Sequence, residues 1–252
     1  MFKIGDEVTR ISYNNDIIFI IVDFKDKLYQ LKGKYVRIYV DAYEDDLKKS
    51  FEEEIDKEFE SRIYNIKELN RSNYFYLPGK ILHIDGDKDY LNKCMNYYKK
   101  NNLKAIGKLE KEEKVADKIG DWILEFKPNI VVITGHDFIT KNKKNKYKNT
   151  DNFIKSIKEC RKKINNQDEL IIIAGACQSD YESLICAGAN FASSPKRINI
   201  HALDPAIIAA SMAYSEANKE IDVKKIIERT KYGSDGIGGI ITKGTMHVGF
   251  PR

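Results

Sequence analysis

Three short stretches combine reactive side chains with small residues in a way that suits covalent catalysis. They read Thr134-Gly135-His136-Asp137, Ala174-Gly175-Ala176-Cys177-Gln178-Ser179-Asp180 and His83-Ile84-Asp85-Gly86-Asp87-Lys88-Asp89. Each lies at the end of an apolar, β-branched run. A cysteine there, preceded only by small residues, is free to present its sulfur at a loop crest. A helix starting at Ser179 would add an N-terminal dipole that favours the thiolate, the nucleophilic form of the side chain. His136 ends a second run and can hand a proton to the amine that leaves after thiolate attack. Backbone N–H groups of the turns at Gly135 and Cys177 can form an oxyanion hole. Alone, a Cys is usually core and a His a satisfied polar group. Their joint occurrence at two Gly-flanked strand tips carries the reading. The expected chemistry is hydrolysis by a Cys177/His136 dyad, with no metal and no cofactor.

From residue 78 the chain alternates strand and helix patterns. Apolar runs at 80–84, 129–134 and 169–174 read as buried strands, with a further strand at 103–106. Helical patterns cover 90–100, 115–126 and 151–163, and the alternation continues through 179–187, 190–193, 198–201 and 205–218. Near-continuous apolar strands between helices predict an α/β domain over 78–252, with a mostly parallel sheet covered on both faces. Ligands of such sheets bind beyond the carboxyl ends of the strands, where the three reactive stretches fall.

The first 43 residues alternate instead in short β segments divided by polar turns, such as Asn14-Asn15 and Lys32-Gly33-Lys34. That pattern predicts a small SH3-like barrel over 1–43, used for docking or positioning. Residues 44–77 are densely charged, and Leu47, Phe51, Ile55, Phe59 and Ile63 fall at helical spacing. The expectation is a charged helical linker.

Composition removes several classes of function. Of 252 residues, 42% are hydrophobic and 32% charged, with only 5 Pro and 15 Gly, as expected of a globular chain and not a fibrous or low-complexity one. The apolar runs are strand-sized, far below the roughly 20 residues of a membrane span, and the start of the chain lacks a signal-peptide core. A cytoplasmic protein with no membrane partner is expected. Net charge is only +5. The basic cluster of Lys141, Lys143, Lys144, Lys146 and Lys148 has only Tyr147 for base stacking, so it reads as a solvated loop and nucleic acid is not expected. No CxxC pair occurs among the four cysteines, and Cys94, Cys160 and Cys186 read as buried small hydrophobes. The oligomeric state is not legible.

The blocks 130–136 and 170–177, one ending in Gly-His and the other in Ala-Cys, resemble the caspase–clostripain–legumain group of cysteine peptidases. That resemblance implies a caspase-like, flavodoxin-like sheet. The group usually has Gly after the His, where this chain has Asp137. A more specific resemblance covers nearly the whole chain. Leu77-Pro78-Gly79-Lys80-Ile81-Leu82-His83-Ile84-Asp85-Gly86-Asp87, the His136 and Cys177 blocks, residues 188–195, His201-Ala202-Leu203-Asp204-Pro205 and the 236–239 turn are similar to the YabG family of sporulation-specific proteases of spore-forming Firmicutes. It implies a peptidase made in the mother cell and associated with the developing spore coat. Its implied substrates are spore-coat and germination precursors, cleaved after Arg, and it implies self-cleavage.

Reading an arginine requires a carboxylate in the S1 pocket, because a desolvated guanidinium must be paired. Clostripain-like enzymes carry an Asp two positions before the Cys, where this chain has Gly175. Asp85 and Asp87 are therefore the first candidates by position and Asp204 the next. Arg62 and Arg71, in or just after the charged stretch, are the self-cleavage candidates. His201 is a weaker alternative partner for Cys177, His83 reads as structural, and His247 has no informative context.

Two rival readings come from other chemistries. Asp85-Gly86-Asp87 after an apolar strand also resembles haloacid-dehalogenase-like, Mg²⁺-dependent phosphohydrolases, in which the first Asp attacks phosphorus and the second is acid/base. The Thr usual in that family is replaced by Asp89, and the reading leaves the Cys177 and His136 turns unexplained. A non-enzymatic coat-assembly protein that docks through the N-terminal module ignores the same polar tips.

Overall fold

A computed structural model describes residues 2–50, 74–137, 139–140, 146–147 and 149–250. The chain divides into two compact units, Met1–Ser61 and Arg62–Arg252.

In the first unit, β1 (Glu7–Arg10), β2 (Phe19–Lys25), β3 (Leu28–Gly33), β4 (Tyr39–Ala42) and β5 (Leu47–Lys49) form one antiparallel sheet in the order β4-β3-β2-β1-β5. The β2–β3 hairpin turns through Asp26 and Lys27, both at positive φ, the backbone twist that a two-residue hairpin loop needs. Val8, Phe19, Ile21, Tyr29, Leu31, Ala42 and Leu47 make its core. Among the described residues no pairing joins β4 to β5, so the expected barrel is seen as a five-stranded sheet. The start of the expected helical linker is corrected outright. Leu47–Lys49 pairs with β1, because burying Leu47 in this core outweighs a helical spacing whose other members lie beyond residue 50. Those members, Phe51, Ile55, Phe59 and Ile63, lie outside the described residues.

The second unit is the expected α/β domain. Its strands are β6 (Phe75–Leu77), β7 (Ile81–Asp85), β8 (Ala105–Leu109), β9 (Ile130–Thr134), β10 (Ile139–Thr140), β11 (Lys146–Tyr147), β12 (Ile171–Ala174), β13 (Phe191–Ser193), β14 (Ile237–Gly239) and β15 (His247–Gly249). The helices of interest are α1 (Lys88–Lys100), α2 (Glu112–Phe126), α3 (Thr150–Lys163), α4 (Tyr181–Cys186) and α5 (Asp204–Ala213). Six strands form the central sheet in the order β14-β13-β12-β9-β7-β8, parallel except for the β13–β14 edge pair. β6 pairs with β15, so residues 75–77 are strand and not the end of a linker. The expected strand at 198–201 is an irregular segment.

Side-chain alternation splits the strands between two layers. Leu82 and Ile84, Val131 and Ile133, and Ile172 and Ala174 pack with Val115, Ile119 and Ile123 of α2 and Phe153 and Ile157 of α3. The alternate residues face the other layer, where α5 packs against β9 and β12 and α1 against β7. Strands buried on both faces have few polar positions to spare, and this is why they read as mostly apolar runs. From β7 the chain adds β8 on one side and then crosses to add β9 on the other. The order of the sheet thus reverses between β7 and β9, the position at which sheets of this kind bind their ligands. Among the described residues, no helix is long and apolar enough to cross a membrane.

Cys94 and Cys160 are buried as expected, but Cys186, at the end of the short α4, is exposed. Burial pushes the Cys160 thiol up to about 12. At pH 8 iodoacetamide should therefore modify Cys186 in the native protein and leave Cys160 intact, which peptide mass mapping checks. Ile172→Ala should cost about 2–5 kcal/mol of stability, read from the urea midpoint, because it opens a cavity between β12 and the α2/α3 layer.

Candidate active site

The tip of β7 is a chain of buried polar groups. His83 is fully buried, with Nδ1 2.8 Å from the Tyr98 hydroxyl and Nε2 3.1 Å from the Thr134 hydroxyl. The Thr134 hydroxyl donates to Asp85 Oδ2 at 2.8 Å, and the Asp87 N–H donates to Asp85 Oδ1 at 2.9 Å. Asp85 is 0% exposed. Asp87 caps α1: its Oδ1 accepts the N–H groups of Asp89 and Tyr90 at 2.9 and 3.3 Å. Its other oxygen, Oδ2, lies 3.4 Å from His136 Nε2.

The tip of β9 is held from below by an acid in the first turn of α2. Glu112 Oε1 accepts the His136 N–H at 2.8 Å. A β-carbon at Gly135 would sit 2.2 Å from that oxygen, and one at Gly86 2.6 Å from it. Glycine at both positions is thus what admits the carboxylate. The Tyr90 ring lies beside the imidazole, 5.7 Å between centroids. The imidazole side chain is 24% exposed.

The tip of β12 turns sharply at Gly175, which has φ +114°. The Ala176 N–H donates to Ser179 Oγ at 2.9 Å, and the Ser179 hydroxyl donates to Asp137 Oδ2 at 3.2 Å. Asp137 also accepts the Asn149 N–H at 2.8 Å and the Thr150 hydroxyl. The turn that carries Cys177 is therefore tied directly to the turn that carries His136. The helix expected at Ser179 begins two residues later, at Tyr181, because Asp180 is the N-cap and Ser179 folds back on Ala176. Nor does Cys177 stand at an open crest. It is 2% exposed, and the Ile200 N–H donates to its Sγ at 3.2 Å. The covering segment is fixed by Gln178, in the left-handed region, whose N–H donates to Ser194 Oγ at 3.1 Å.

Register explains how these groups are set out. Asp85 is paired with Thr134, and Asp87 and His136 each lie two residues beyond that pair. Ile133 is paired with Ala174, and His136 and Cys177 each lie three residues beyond that pair. Asp87, His136 and Cys177 therefore leave three neighbouring strands at matching steps.

The other expected residues are placed as follows. Asp204 is 0% exposed at the start of α5 and accepts the N–H groups of His201 and Lys231, both at 2.9 Å. His201 Nδ1 accepts the Leu203 N–H at 3.2 Å. Arg62, Arg71, Lys141, Lys143, Lys144 and Lys148 lie outside the described residues. The Asp85 carboxylate is fully buried and accepts from the Thr134 hydroxyl and the Asp87 N–H. Among the described residues, no group of three or more His, Cys, Asp or Glu is arranged to hold a metal. Glu112 and Ser179 were not singled out from the sequence. Glu112 lies on a helical stretch that reads as an ordinary charged face, and only the glycines at 86 and 135 hint at a group needing room.

The chain matches the family described as YabG peptidase U57 over residues 3–71 and 61–251. It is 38% identical over 284 residues to the Sporulation-specific protease YabG of Bacillus subtilis (strain 168), a match that covers 99% of this chain and 98% of that protein. The chain belongs to the YabG peptidase U57 family. No solved structure matches it. The YabG match runs through both compact units, so the N-terminal sheet belongs to the shared architecture as much as the α/β domain does.

Two substitutions test how the tips are built. Gly135→Ala should cost about 1–3 kcal/mol, because the new methyl must evict the Glu112 carboxylate. Asp137→Ala should cost at least about 2 kcal/mol, because buried donors on Asn149, Thr150 and Ser179 lose their acceptor. Thermal and urea denaturation measure both.

Proposed function

We propose that this chain is a sporulation-associated cysteine endopeptidase that cleaves protein substrates after Arg through Cys177 and His136. The supporting observation is that Cys177 and His136 leave paired parallel strands at matching steps, next to the point where the order of the sheet reverses. Membership of the YabG peptidase family supports peptide-bond hydrolysis as the reaction.

In this reading the Cys177 thiolate attacks the carbonyl carbon of an Arg-Xaa bond. The oxyanion that forms is held by backbone N–H groups at Gly135 and Cys177. As the C–N bond breaks, His136 gives its proton to the departing amine and a thioester remains. Water then loses a proton to His136 and attacks the thioester, and the thiolate leaves. No metal or cofactor enters these steps. Because Ile200 covers the sulfur, substrate entry requires residues 194–200 to move aside.

Asp85, Asp87 and Asp204 remain the proposed readers of the arginine, each held by backbone N–H donors. Arg62 and Arg71 remain the proposed sites of self-cleavage. Spore-coat and germination precursors are the proposed substrates, met in the mother cell and at the developing coat.

A fluorogenic Arg peptide tests the core of the reading. Wild type should cleave it with or without EDTA, and Cys177→Ala should lose at least about 10³-fold in kcat. Equal activity in Cys177→Ala would refute the cysteine mechanism. Replacing the peptide's Arg by its neutral isostere citrulline should lower kcat/KM by about 10²-fold or more. Asp→Asn at the true reader, and only there, should collapse that ratio.

A further inference from the structure

The proposed mechanism uses one nitrogen of His136 for the reacting atoms and leaves the other to be accounted for. That nitrogen, Nε2, lies 3.4 Å from Asp87 Oδ2. An ionised carboxylate can only accept, so the nitrogen facing it carries the proton and Nδ1 carries the lone pair. Asp87 is 9% exposed, and its Oδ1 is engaged by the first turn of α1, so the orientation of the carboxylate is fixed before the imidazole meets it. Tyr90 lies beside the same imidazole and donates its own N–H to the same Oδ1. The α1 N-terminus thus carries both groups that surround the ring. The pairing of β7 with β9 sets the distance, since Asp87 and His136 lie equally far beyond the Asp85–Thr134 pair.

We infer that Asp87 is the positioning residue of His136: its carboxylate selects the Nε2–H tautomer and stabilises the imidazolium formed during the reaction. This rests on the Cys177/His136 reading. It makes a row of three beyond the ends of adjacent strands, Asp87 after β7, His136 after β9 and Cys177 after β12, in place of a dyad. It also removes Asp87 from the arginine readers and leaves Asp85 and Asp204. The physical logic is that of any acid–imidazole–nucleophile row. The acid is not protonated in turnover, but it holds the ring in the one tautomer and orientation from which proton transfer works.

Asp87→Asn separates this role from helix capping. Asn caps as well as Asp, so its oxygen can keep the Asp89 and Tyr90 N–H groups. Its amide nitrogen then faces Nε2 and calls for the opposite tautomer. The Tm should stay within about 2 °C of wild type. On the Arg peptide, kcat should fall by roughly 10²-fold or more with KM changed less than about threefold, and the citrulline peptide should lose as much. Asp87→Ala should lose both the cap, about 1 kcal/mol, and the activity.

A second readout does not depend on catalysis. In a Cys177→Ala background at pH 8.5, ring ¹⁵N shifts of His136 should report the Nε2–H tautomer, and adding Asp87→Asn should convert it to Nδ1–H. Wild-type kinetics in Asp87→Asn, or an unchanged tautomer, would overturn the inference. So would a loss confined to the Arg peptide, which would make Asp87 the arginine reader instead. If Cys177→Ala proves as active as wild type, the cysteine mechanism fails, while the tautomer experiment still decides whether Asp87 governs His136.

Discussion

β9 is paired on both sides, with β7 through five residue pairs and with β12 through four, and the registers of these ladders set where each reactive side chain leaves the sheet. A slip of one residue in a strand exchanges its two faces. Here it would turn Val131 and Ile133 away from the α2/α3 core and carry the His136 turn out of step with both neighbours. Burial on both faces makes such a slip prohibitive. The hydrophobic core thus sets the spacing of the polar tips without touching them.

Beyond the last paired residues the chain has no ladder to hold it, and acidic side chains take over. Asp85 gathers Thr134 and the Asp87 N–H, Glu112 gathers the His136 N–H, and Asp137 gathers Asn149, Thr150 and Ser179. Asp85 and Asp137 each bring donors from separate segments onto one carboxylate. A buried acceptor of this kind is costly if any donor is withdrawn, so these bonds hold the turns together. The small residues between them follow from the same demand. Gly86 and Gly135 make room for Glu112, and Gly175 adopts a φ that side chains rarely allow.

Much of this arrangement was legible in the sequence. The apolar runs at 130–133 and 171–174, and the 81–84 run broken only by His83, could be little else than doubly buried parallel strands, and the proposed His136 and Cys177 lie in the turns beyond two of their carboxyl ends. What pattern reading missed depends on long-range pairing. Leu47 sits at helical spacing from Phe51, yet its partner is β1, far away in sequence. Asp137 stood out only as a departure from a family pattern, because the three donors that explain it come from residues 149, 150 and 179. Cys177 after small residues looked exposed, since nothing in its own block announces Ile200.

That cover over Cys177 has a kinetic meaning. In the proposed mechanism, a sulfur that is 2% exposed and engaged by a backbone N–H meets an electrophile only in the fraction of molecules whose 194–200 segment has lifted. The observed rate of any attack is then the rate in the open form multiplied by that fraction. Each additional 1.4 kcal/mol or so favouring the closed segment lowers the rate tenfold. The factor is common to every substrate, so it cancels in any ratio between two of them. Under the proposed mechanism, residues 194–200 therefore set how fast the thiol works, while the contacts made to the bound peptide set which bond is cut.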